Sequence, residues 1–169
     1  MAKLPLTFAC GLYDRTVALA TGAVPVEGVD LTCLNLQIEE IFFRQFNYFD
    51  FGVSEVSMGK YCSLVSQGNA PLVGIPVFPS RVFRHGYFFI NTNKGIKSPA
   101  DLKGKRGGVP EYSMTAGVYM RGLLSDEYGV KPSDVEWVQG RADRLGRKLP
   151  DDIRLTQAPA GTELGDLLE

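Results

Sequence analysis

The sequence has 169 residues, 44% of them hydrophobic and 22% charged, which suffices for one good-sized domain or two small lobes with apolar cores. Its formal net charge of -1 at pH 7 argues against a broad nucleic-acid or membrane surface, because such surfaces need an excess of Lys and Arg. This charge still allows a small cationic pocket, and the apolar runs are far too short to cross a bilayer.

The first half of the chain is predicted to alternate strands with helices. The patterns place strands over 4–9, 29–36, 51–53 and 72–77, and helices over 15–20, 37–46 and 58–66. Alternation of this kind predicts an α/β fold with a mostly parallel sheet and helices on its faces. Ligands of such sheets lie beyond the carboxyl ends of the strands, and those ends carry Tyr13-Asp14-Arg15, Ser54-Glu55 and Phe78-Pro79-Ser80-Arg81.

The second half changes character near Arg84 and is predicted to form a second lobe. The patterns place strands over 87–90, 107–109, 135–138 and 153–157, a helix over 114–128 and the start of another helix at 162. The charged, Gly- and Arg-rich residues 140–152 are predicted to form an exposed loop. We therefore expect a first lobe over 1–83, and a crossover with the second lobe over 84–169.

The cysteines indicate a reducing environment. Cys10, Cys33 and Cys62 are odd in number and lack CxxC spacing, which argues against a disulfide framework or a zinc site and favours free thiols in a cytoplasmic protein. The chain passes from Met1 directly into a predicted strand without a long apolar region, so we predict no signal peptide.

One candidate site is the run Ser80-Arg81-Val82-Phe83-Arg84-His85. The guanidiniums of Arg81 and Arg84 suit two carboxylates, because each can bind one through paired hydrogen bonds. His85, with a reference pKa near neutrality, is the natural proton donor or acceptor. The alternatives are surface salt bridges for the arginines and a histidine that bonds to backbone in a hinge.

A second candidate site lies where a predicted strand passes through Val109-Pro110-Glu111-Tyr112-Ser113-Met114-Thr115 into a helix. Backbone N–H groups at the helix start, together with the hydroxyls of Ser113 and Thr115, predict a cradle for an anion. The alternative is that Ser113 simply caps the helix.

A third candidate site combines Tyr13 and Arg15 with Ser54 and Glu55 at two predicted strand ends of the first lobe. Arg15 could contact an acid, Tyr13 and Glu55 could contact phenolic hydroxyls, and Glu55 could carry a proton. The alternative is that Asp14 caps a helix while Glu55 forms a salt bridge with Arg15.

Several of these segments resemble the 4,5-dihydroxyphthalate decarboxylases. The resemblance lies in residues 4–15, 53–57, 75–85, 101–106 and 108–116, and its most specific parts are Pro79-Ser80-Arg81-x-Phe83-Arg84-His85 and Val109-Pro110-Glu111-Tyr112. It implies a fold similar to type II periplasmic binding proteins, in which two α/β lobes flank a ligand cleft. Members of that family are longer than this chain, so we expect a truncated chain with an incomplete first lobe.

The resemblance further implies decarboxylation of 4,5-dihydroxyphthalate to protocatechuate in phthalate degradation. No organic cofactor and no metal ligand set are predicted, and the metal requirement is left open. The expected partner is a small aromatic dicarboxylate, without nucleic acid or membrane, and the oligomeric state is left open. The residues to which this reading gives a catalytic or substrate-binding role are His85 and Glu55 for catalysis, and Tyr13, Arg15, Ser54, Arg81, Arg84, Tyr112, Ser113 and Thr115 for binding.

Two other functions fit the same residues. The first is a solute-binding protein that delivers an aromatic or dicarboxylic acid to a transporter or sensor, because the fold is shared. The second is another enzyme on this scaffold that acts on a different aromatic or dicarboxylic acid. Release of carbon dioxide from 4,5-dihydroxyphthalate would separate these functions from the decarboxylase.

Overall fold

The computed structural model describes residues 2–142 and 148–168 and divides into two compact units, Met1–Val82 and Phe83–Glu169. In its described residues, the first unit contains three strands and three helices: β1 Leu4–Ala9, α1 Val17–Ala20, β2 Val29–Leu34, α2 Ile38–Tyr48, β3 Val53–Ser54 and α3 Met58–Val65. The second unit contains three strands and one α-helix in its described residues: β4 Arg106–Val109, α4 Thr115–Tyr128, β5 Glu136–Gln139 and β6 Leu155–Gln157. That these units are the two expected lobes stays a prediction.

The first unit is built on a parallel sheet with the order β2-β1-β3. Strand β1 pairs with β2 from Leu4 opposite Val29 to Ala9 opposite Leu34, and its end pairs with β3 through Ala9 opposite Ser54. Ala9 is fully buried and lies in a small core with Ile41 and Phe51. The core therefore sits beneath the carboxyl end of the central strand and fixes the position of the residues that follow it.

Helix α2 closes this core through its apolar face and one buried amide. The Phe51 N–H donates to Oε1 of Gln45 (3.2 Å), and Nε2 of Gln45 donates to the Phe51 carbonyl (3.3 Å). The amide thus satisfies both polar backbone groups of a buried residue. On the exposed face, the Arg44 guanidinium pairs with Glu40 (3.0 Å) and Asp50 (2.8 Å).

The second unit has a parallel sheet in the order β4-β5-β6. Among its described residues, six buried ones form the core: Val109, Tyr112, Leu124, Val130, Val135 and Trp137. Helix α4 ends at Gly129, whose φ of 63° is left-handed, and Val130 then enters the core. In the described ranges, no helix has both the length and the apolar character needed to cross a membrane.

Two predicted strands are wrong. Residues 72–77 are irregular, and Val73 is 92% exposed; the Gly74 N–H donates to the hydroxyl of Tyr61 (2.8 Å) instead of to a neighbouring strand. Residues 87–90 end a 3-10 turn and continue without strand structure. An apolar run becomes a strand only where another strand pairs with it and another layer covers it, and neither segment pairs with a described strand.

Two predicted helices also differ from the structure. Helix α1 is one turn that begins after Thr16, and Asp14 does not cap it: its Oδ1 accepts the N–H of Arg15 (2.8 Å). The predicted helix from 162 is a 3-10 turn over Asp166–Leu168. Of the predicted loop over 140–152, residues 143–147 lie outside the described ranges.

Candidate functional site

The carboxyl edge of the first sheet brings two segments together that are far apart in sequence. Because Ala9 pairs with Ser54, the next residues, Cys10 and Glu55, lie side by side beyond the strand ends. The Glu55 N–H donates to the Ala9 carbonyl (3.0 Å), which extends the ladder by one residue. The sheet register therefore delivers an acid to the edge where ligands of parallel sheets bind.

Glu55 is a buried acid, 8% exposed, with three hydrogen-bond donors around its carboxylate. Oxygen Oε2 accepts from the Cys10 thiol (3.1 Å) and from the Gly11 N–H (2.9 Å). Oxygen Oε1 accepts from the Tyr13 hydroxyl (3.0 Å). Burial of an acid is costly unless donors compensate it, and these donors offset that cost. The structure thus places a buried acid, held by three hydrogen-bond donors, at this edge.

The two side-chain donors keep their protons at neutral pH. Burial, followed by the hydrogen bond and the charge of Glu55, raises the pKa of Cys10 to about 12. Burial, followed by the charge and the hydrogen bond of Glu55, raises the pKa of Tyr13 to about 12, although a hydrogen bond with Ser80 acts in the opposite direction. Both groups therefore remain donors to the carboxylate across the physiological range.

Arg15 lies beside this acid without pairing to it. Its guanidinium pairs with Asp14 (3.0 Å), donates to the carbonyl of Pro79 and lies 5.5 Å from the centre of the Tyr13 ring. The expected alternative of a salt bridge between Glu55 and Arg15 is therefore wrong. A partly exposed guanidinium next to a phenol can accept a carboxylate from a ligand, because Asp14 is a largely solvated partner.

Ser54 and Arg81 complete the predicted residues of the first unit. Ser54 Oγ is buried and has no hydrogen-bond partner in the described part of the chain. Arg81 is exposed, and its Nε donates to the carbonyl of Phe78 (3.2 Å). The segment that carries Arg81 also contacts residues close to Glu55, since Pro79 accepts a hydrogen bond from Arg15 and Ser80 bonds to Tyr13.

Arg84 and His85 belong to the second unit and lie in a 3-10 turn over Arg84–Tyr87. The Arg84 guanidinium lies 5.7 Å from the centre of the Tyr87 ring. The His85 ring is exposed and stacks on Phe83, with ring centres 4.8 Å apart and planes inclined by 24°. Among residues 2–142 and 148–168, neither Arg81 nor Arg84 forms an ion pair, so the surface salt bridges considered for them are absent there.

Tyr112 is part of the core of the second unit. Its ring packs edge-on against Trp137, 6.1 Å between centres, and the Arg121 guanidinium lies over its face at 3.7 Å. Arg121 also donates to the Tyr112 carbonyl (2.6 Å). Burial raises the pKa of Tyr112. The structure therefore gives this ring a packing role.

One hydroxyl of the predicted anion cradle bonds to an acid of the protein itself. Helix α4 begins at Thr115 with Met114 at the N-cap, so Ser113 does not cap it. The Ser113 hydroxyl instead donates to Oε1 of Glu111 (3.3 Å), and Oε2 of Glu111 pairs with Arg141 (3.5 Å). A ligand carboxylate at this helix start would have to compete with Glu111.

Comparison with known proteins decides the family. Residues 50–152 match the family described as "NMT1/THI5 like". The chain is 45% identical to 4,5-dihydroxyphthalate decarboxylase of Comamonas testosteroni, over 99% of this chain and 53% of that protein. It is 43% identical to 4,5-dihydroxyphthalate decarboxylase of Pseudomonas putida, over 99% of this chain and 67% of that protein. The chain belongs to the 4,5-dihydroxyphthalate decarboxylase family.

Membership of the 4,5-dihydroxyphthalate decarboxylase family confirms the resemblance and, with it, the α/β fold of the type II periplasmic-binding-protein kind. The chain spans about half the length of the Comamonas relative. The matched region of residues 50–152 includes Ser54, Glu55 and the run from Arg81 to His85. The roles of these residues in the family chemistry stay predictions.

In this member of the 4,5-dihydroxyphthalate decarboxylase family, Cys10 contacts the acid of the candidate site, a contact that the sequence analysis did not predict. Cys10 directly follows β1, and that position at a strand end was the available signal. With Cys33, it lines a pocket of about 90 Å³, smaller than the roughly 300–1,000 Å³ of small-molecule sites. Within the described ranges, no group of three or more His, Cys, Asp and Glu is placed to hold a metal.

Proposed function

We propose that this chain acts on 4,5-dihydroxyphthalate and releases carbon dioxide to give protocatechuate. The observation that carries the proposal is the 45% identity to a decarboxylase of that name over 99% of the chain. The partner is then a small aromatic dicarboxylate, and the reaction is a step in the breakdown of phthalates.

The substrate supplies most of the chemistry. Each of its carboxylates lies para to a hydroxyl, so removal of the hydroxyl proton pushes electron density to the ring carbon that bears the carboxylate. A general acid then protonates that carbon, the carbon–carbon bond breaks, and its electron pair returns to the ring as carbon dioxide leaves. Consequently, the protein has to hold two anions, accept a proton at a hydroxyl and donate a proton at the ring.

Glu55 and Tyr13 are the groups assigned to the hydroxyl. The carboxylate of Glu55 is held by Cys10, Gly11 and Tyr13, so it is fixed in place before substrate arrives. A substrate hydroxyl that approaches Oε1 would share this oxygen with the phenol of Tyr13. This arrangement supports proton acceptance by Glu55, because an oriented carboxylate needs little reorganisation.

Arg15, Arg81 and Arg84 are the groups assigned to the two carboxylates, and His85 is assigned to protonation of the ring. The Arg15 guanidinium donates to the Pro79 carbonyl, and the Arg81 guanidinium donates to the Phe78 carbonyl. Each of these bonds uses only part of the guanidinium, so other N–H donors are left for a ligand. His85 is exposed, which suits exchange of its proton with solvent. Ser54, Ser113 and Thr115 are kept as further contacts of the bound acid, whereas the packed ring of Tyr112 is left to the core of the second unit.

The test is an assay of this chain with 4,5-dihydroxyphthalate, in which carbon dioxide release and protocatechuate formation are followed together. Phthalate, which lacks the hydroxyls, is the matched control and should give no product. A parallel reaction with a chelator determines whether a metal takes part. Absence of product with saturating substrate would overturn the proposal for this chain.

The same assay tests the solute-binding alternative. The NMT1/THI5-like match is to a fold whose lobes suit ligand binding with or without turnover. Calorimetric binding of 4,5-dihydroxyphthalate without release of carbon dioxide would favour a binding protein. Binding followed by release of carbon dioxide and protocatechuate in equal amounts would favour the decarboxylase.

We further infer a cytoplasmic location. Cys10, Cys33 and Cys62 are all free thiols, and such thiols suit a reducing compartment. Fractionation of cells that express the tagged chain, with a periplasmic marker as a control, would test this location.

The activity is proposed to need no organic cofactor, since the ionised para hydroxyl can itself supply electron density to the ring carbon that loses the carboxylate.

A further inference from the structure

We propose that Cys10 is a positioning residue whose thiol orients the Glu55 carboxylate so that oxygen Oε1 faces the substrate hydroxyl. The inference rests on the function proposed above and adds a residue to it. Its basis is the way in which the donors divide between the two oxygens of one buried acid.

The two oxygens of Glu55 have different surroundings. Oε2 accepts from the Cys10 thiol at 3.1 Å and from the Gly11 N–H at 2.9 Å. Oε1 accepts from the Tyr13 hydroxyl at 3.0 Å, and the Arg15 guanidinium lies 5.5 Å from the centre of that Tyr13 ring. One oxygen is thus anchored by two donors from consecutive residues, and the other contacts Tyr13, a group assigned to the substrate hydroxyl.

The anchor is built by the sheet and not by a flexible loop. Cys10 follows Ala9, the fully buried residue that pairs with Ser54 and accepts the N–H of Glu55. The thiol and the carboxylate therefore sit on adjacent strand ends whose register is fixed. Turning the carboxylate plane away from this orientation would break both anchoring bonds, so the two donors fix the direction in which the other oxygen points.

A thiol suits this role because it donates without competing for the proton. Burial raises the pKa of Cys10 to about 12, so the thiol stays protonated at the pH of turnover. Sulfur is a weak donor and a weak acceptor, so the proton of the substrate hydroxyl has Glu55 as its acceptor.

The experiment compares Cys10→Ala, which removes the donor, with Cys10→Ser, which keeps a donor at the same position. Turnover of 4,5-dihydroxyphthalate by Cys10→Ala should fall roughly tenfold in kcat with little change in KM, as expected for loss of one hydrogen bond to a charged group. Cys10→Ser should recover most of kcat. Urea unfolding of both variants checks that each is folded at the assay temperature.

Cys33→Ala is the matched control, because Cys33 lines the same pocket and its thiol bonds to the Leu19 carbonyl (3.5 Å) and not to Glu55. It should keep the wild-type kcat. A Cys10→Ala variant with wild-type kcat, or a Cys10→Ser variant as slow as Cys10→Ala, would overturn the positioning role.

An infrared measurement separates this inference from the proposed function. The difference between the spectra of wild type and Cys10→Ala isolates the S–H stretching band of Cys10. In Glu55→Gln that band should move to higher frequency, because a neutral amide accepts more weakly than a carboxylate. If the wild-type chain releases no carbon dioxide, the proposed function fails while the band still reports on the anchor. A band that does not move rejects the anchor itself.

Discussion

At the scale of single residues, the proposed chemistry depends most on a buried acid that has no cationic partner in contact among the described residues. Donation from Cys10, Gly11 and Tyr13 takes the place of a counter-ion for Glu55, while the nearby Arg15 pairs with Asp14. Hydrogen bonds to a carboxylate are among the stronger ones in proteins. The acid can therefore be buried and oriented while the guanidinium keeps capacity for a ligand.

Replacement of Glu55 by Gln should reduce kcat for 4,5-dihydroxyphthalate by about 10²- to 10⁴-fold, the range typical of a lost general acid or base. The amide nearly preserves the shape of the side chain but cannot accept the hydroxyl proton. Steady-state kinetics on folded protein is the measurement. The matched control is Glu39→Gln on the exposed face of α2, which should keep wild-type kinetics. A rate for Glu55→Gln within twofold of wild type would remove Glu55 from proton transfer.

Cys10 should make the stability of the chain fall at alkaline pH. Burial raises the pKa of its thiol from the ordinary value of 9.0 to about 12, so its contribution to stability is complete below pH 9 and is lost as the pH rises toward 12. The free energy of unfolding of wild type, measured in urea between pH 8 and 10.5, should therefore decline more steeply than that of Cys10→Ser. Equal slopes for the two proteins would contradict the raised pKa.

At the scale of secondary-structure elements, α4 contains two glycines with opposite constraints. Gly122 lies inside the helix, and a Cβ built there meets no atom within 4 Å. Gly129 ends the helix with a φ of 63°, a conformation that is strained for residues with a side chain. The same substitution should consequently have opposite effects at the two positions.

Gly122→Ala should raise the free energy of unfolding by about 0.5–1 kcal/mol, because alanine restricts the unfolded chain and favours a helix interior. Gly129→Ala should lower it by about 1–2 kcal/mol, the cost of a left-handed residue with a Cβ. Urea denaturation followed by circular dichroism measures both. Changes of the same sign would show that the helix end is not fixed by Gly129.

Which elements the sequence predicts depends on how local their determinants are. Strand β1 and helices α2 and α4 carry their own periodicity and stop signals, and all three were predicted within a few residues. Residues 72–77 have a strand-like composition, but their own sequence does not determine whether another strand pairs with them.

The distinction between local and long-range determinants also explains which residues of the candidate site the sequence predicted. Tyr13, Arg15 and Glu55 were identified because polar residues at the ends of parallel strands mark a ligand edge. The bond from Cys10 to Glu55 spans 45 residues and depends on the pairing of Ala9 with Ser54. Sequence patterns do not contain that register, and so the thiol could not be connected to the acid.

At the scale of the whole molecule, stability rests on two small cores with much apolar surface outside them. In the first unit, Ala9, Ile41 and Phe51 are buried, whereas Val73, Ile75 and Val77 in the irregular segment are exposed. Apolar residues in that segment therefore contribute little to burial in the first unit. The prediction that follows compares the same substitution inside and outside the core.

Ile41→Ala should lower the free energy of unfolding by about 2–5 kcal/mol, because Ile41 is 0% exposed and its removal leaves a cavity. Ile75→Ala should change it by less than about 0.5 kcal/mol, since Ile75 is 62% exposed. Chemical denaturation of both variants under one set of conditions makes the comparison. A cost at Ile75 similar to that at Ile41 would show that the segment is packed in solution.

The irregular segment at the end of the first unit predicts where a protease cuts the chain. Phe83, the first residue of the second unit, is 76% exposed and follows residues 66–82, none of which lies in a helix or a strand. A brief digestion with chymotrypsin is therefore expected to cut the chain after Phe83 before most other aromatic positions. Such a nick would separate a fragment that contains Glu55 from one that begins with Arg84 and His85.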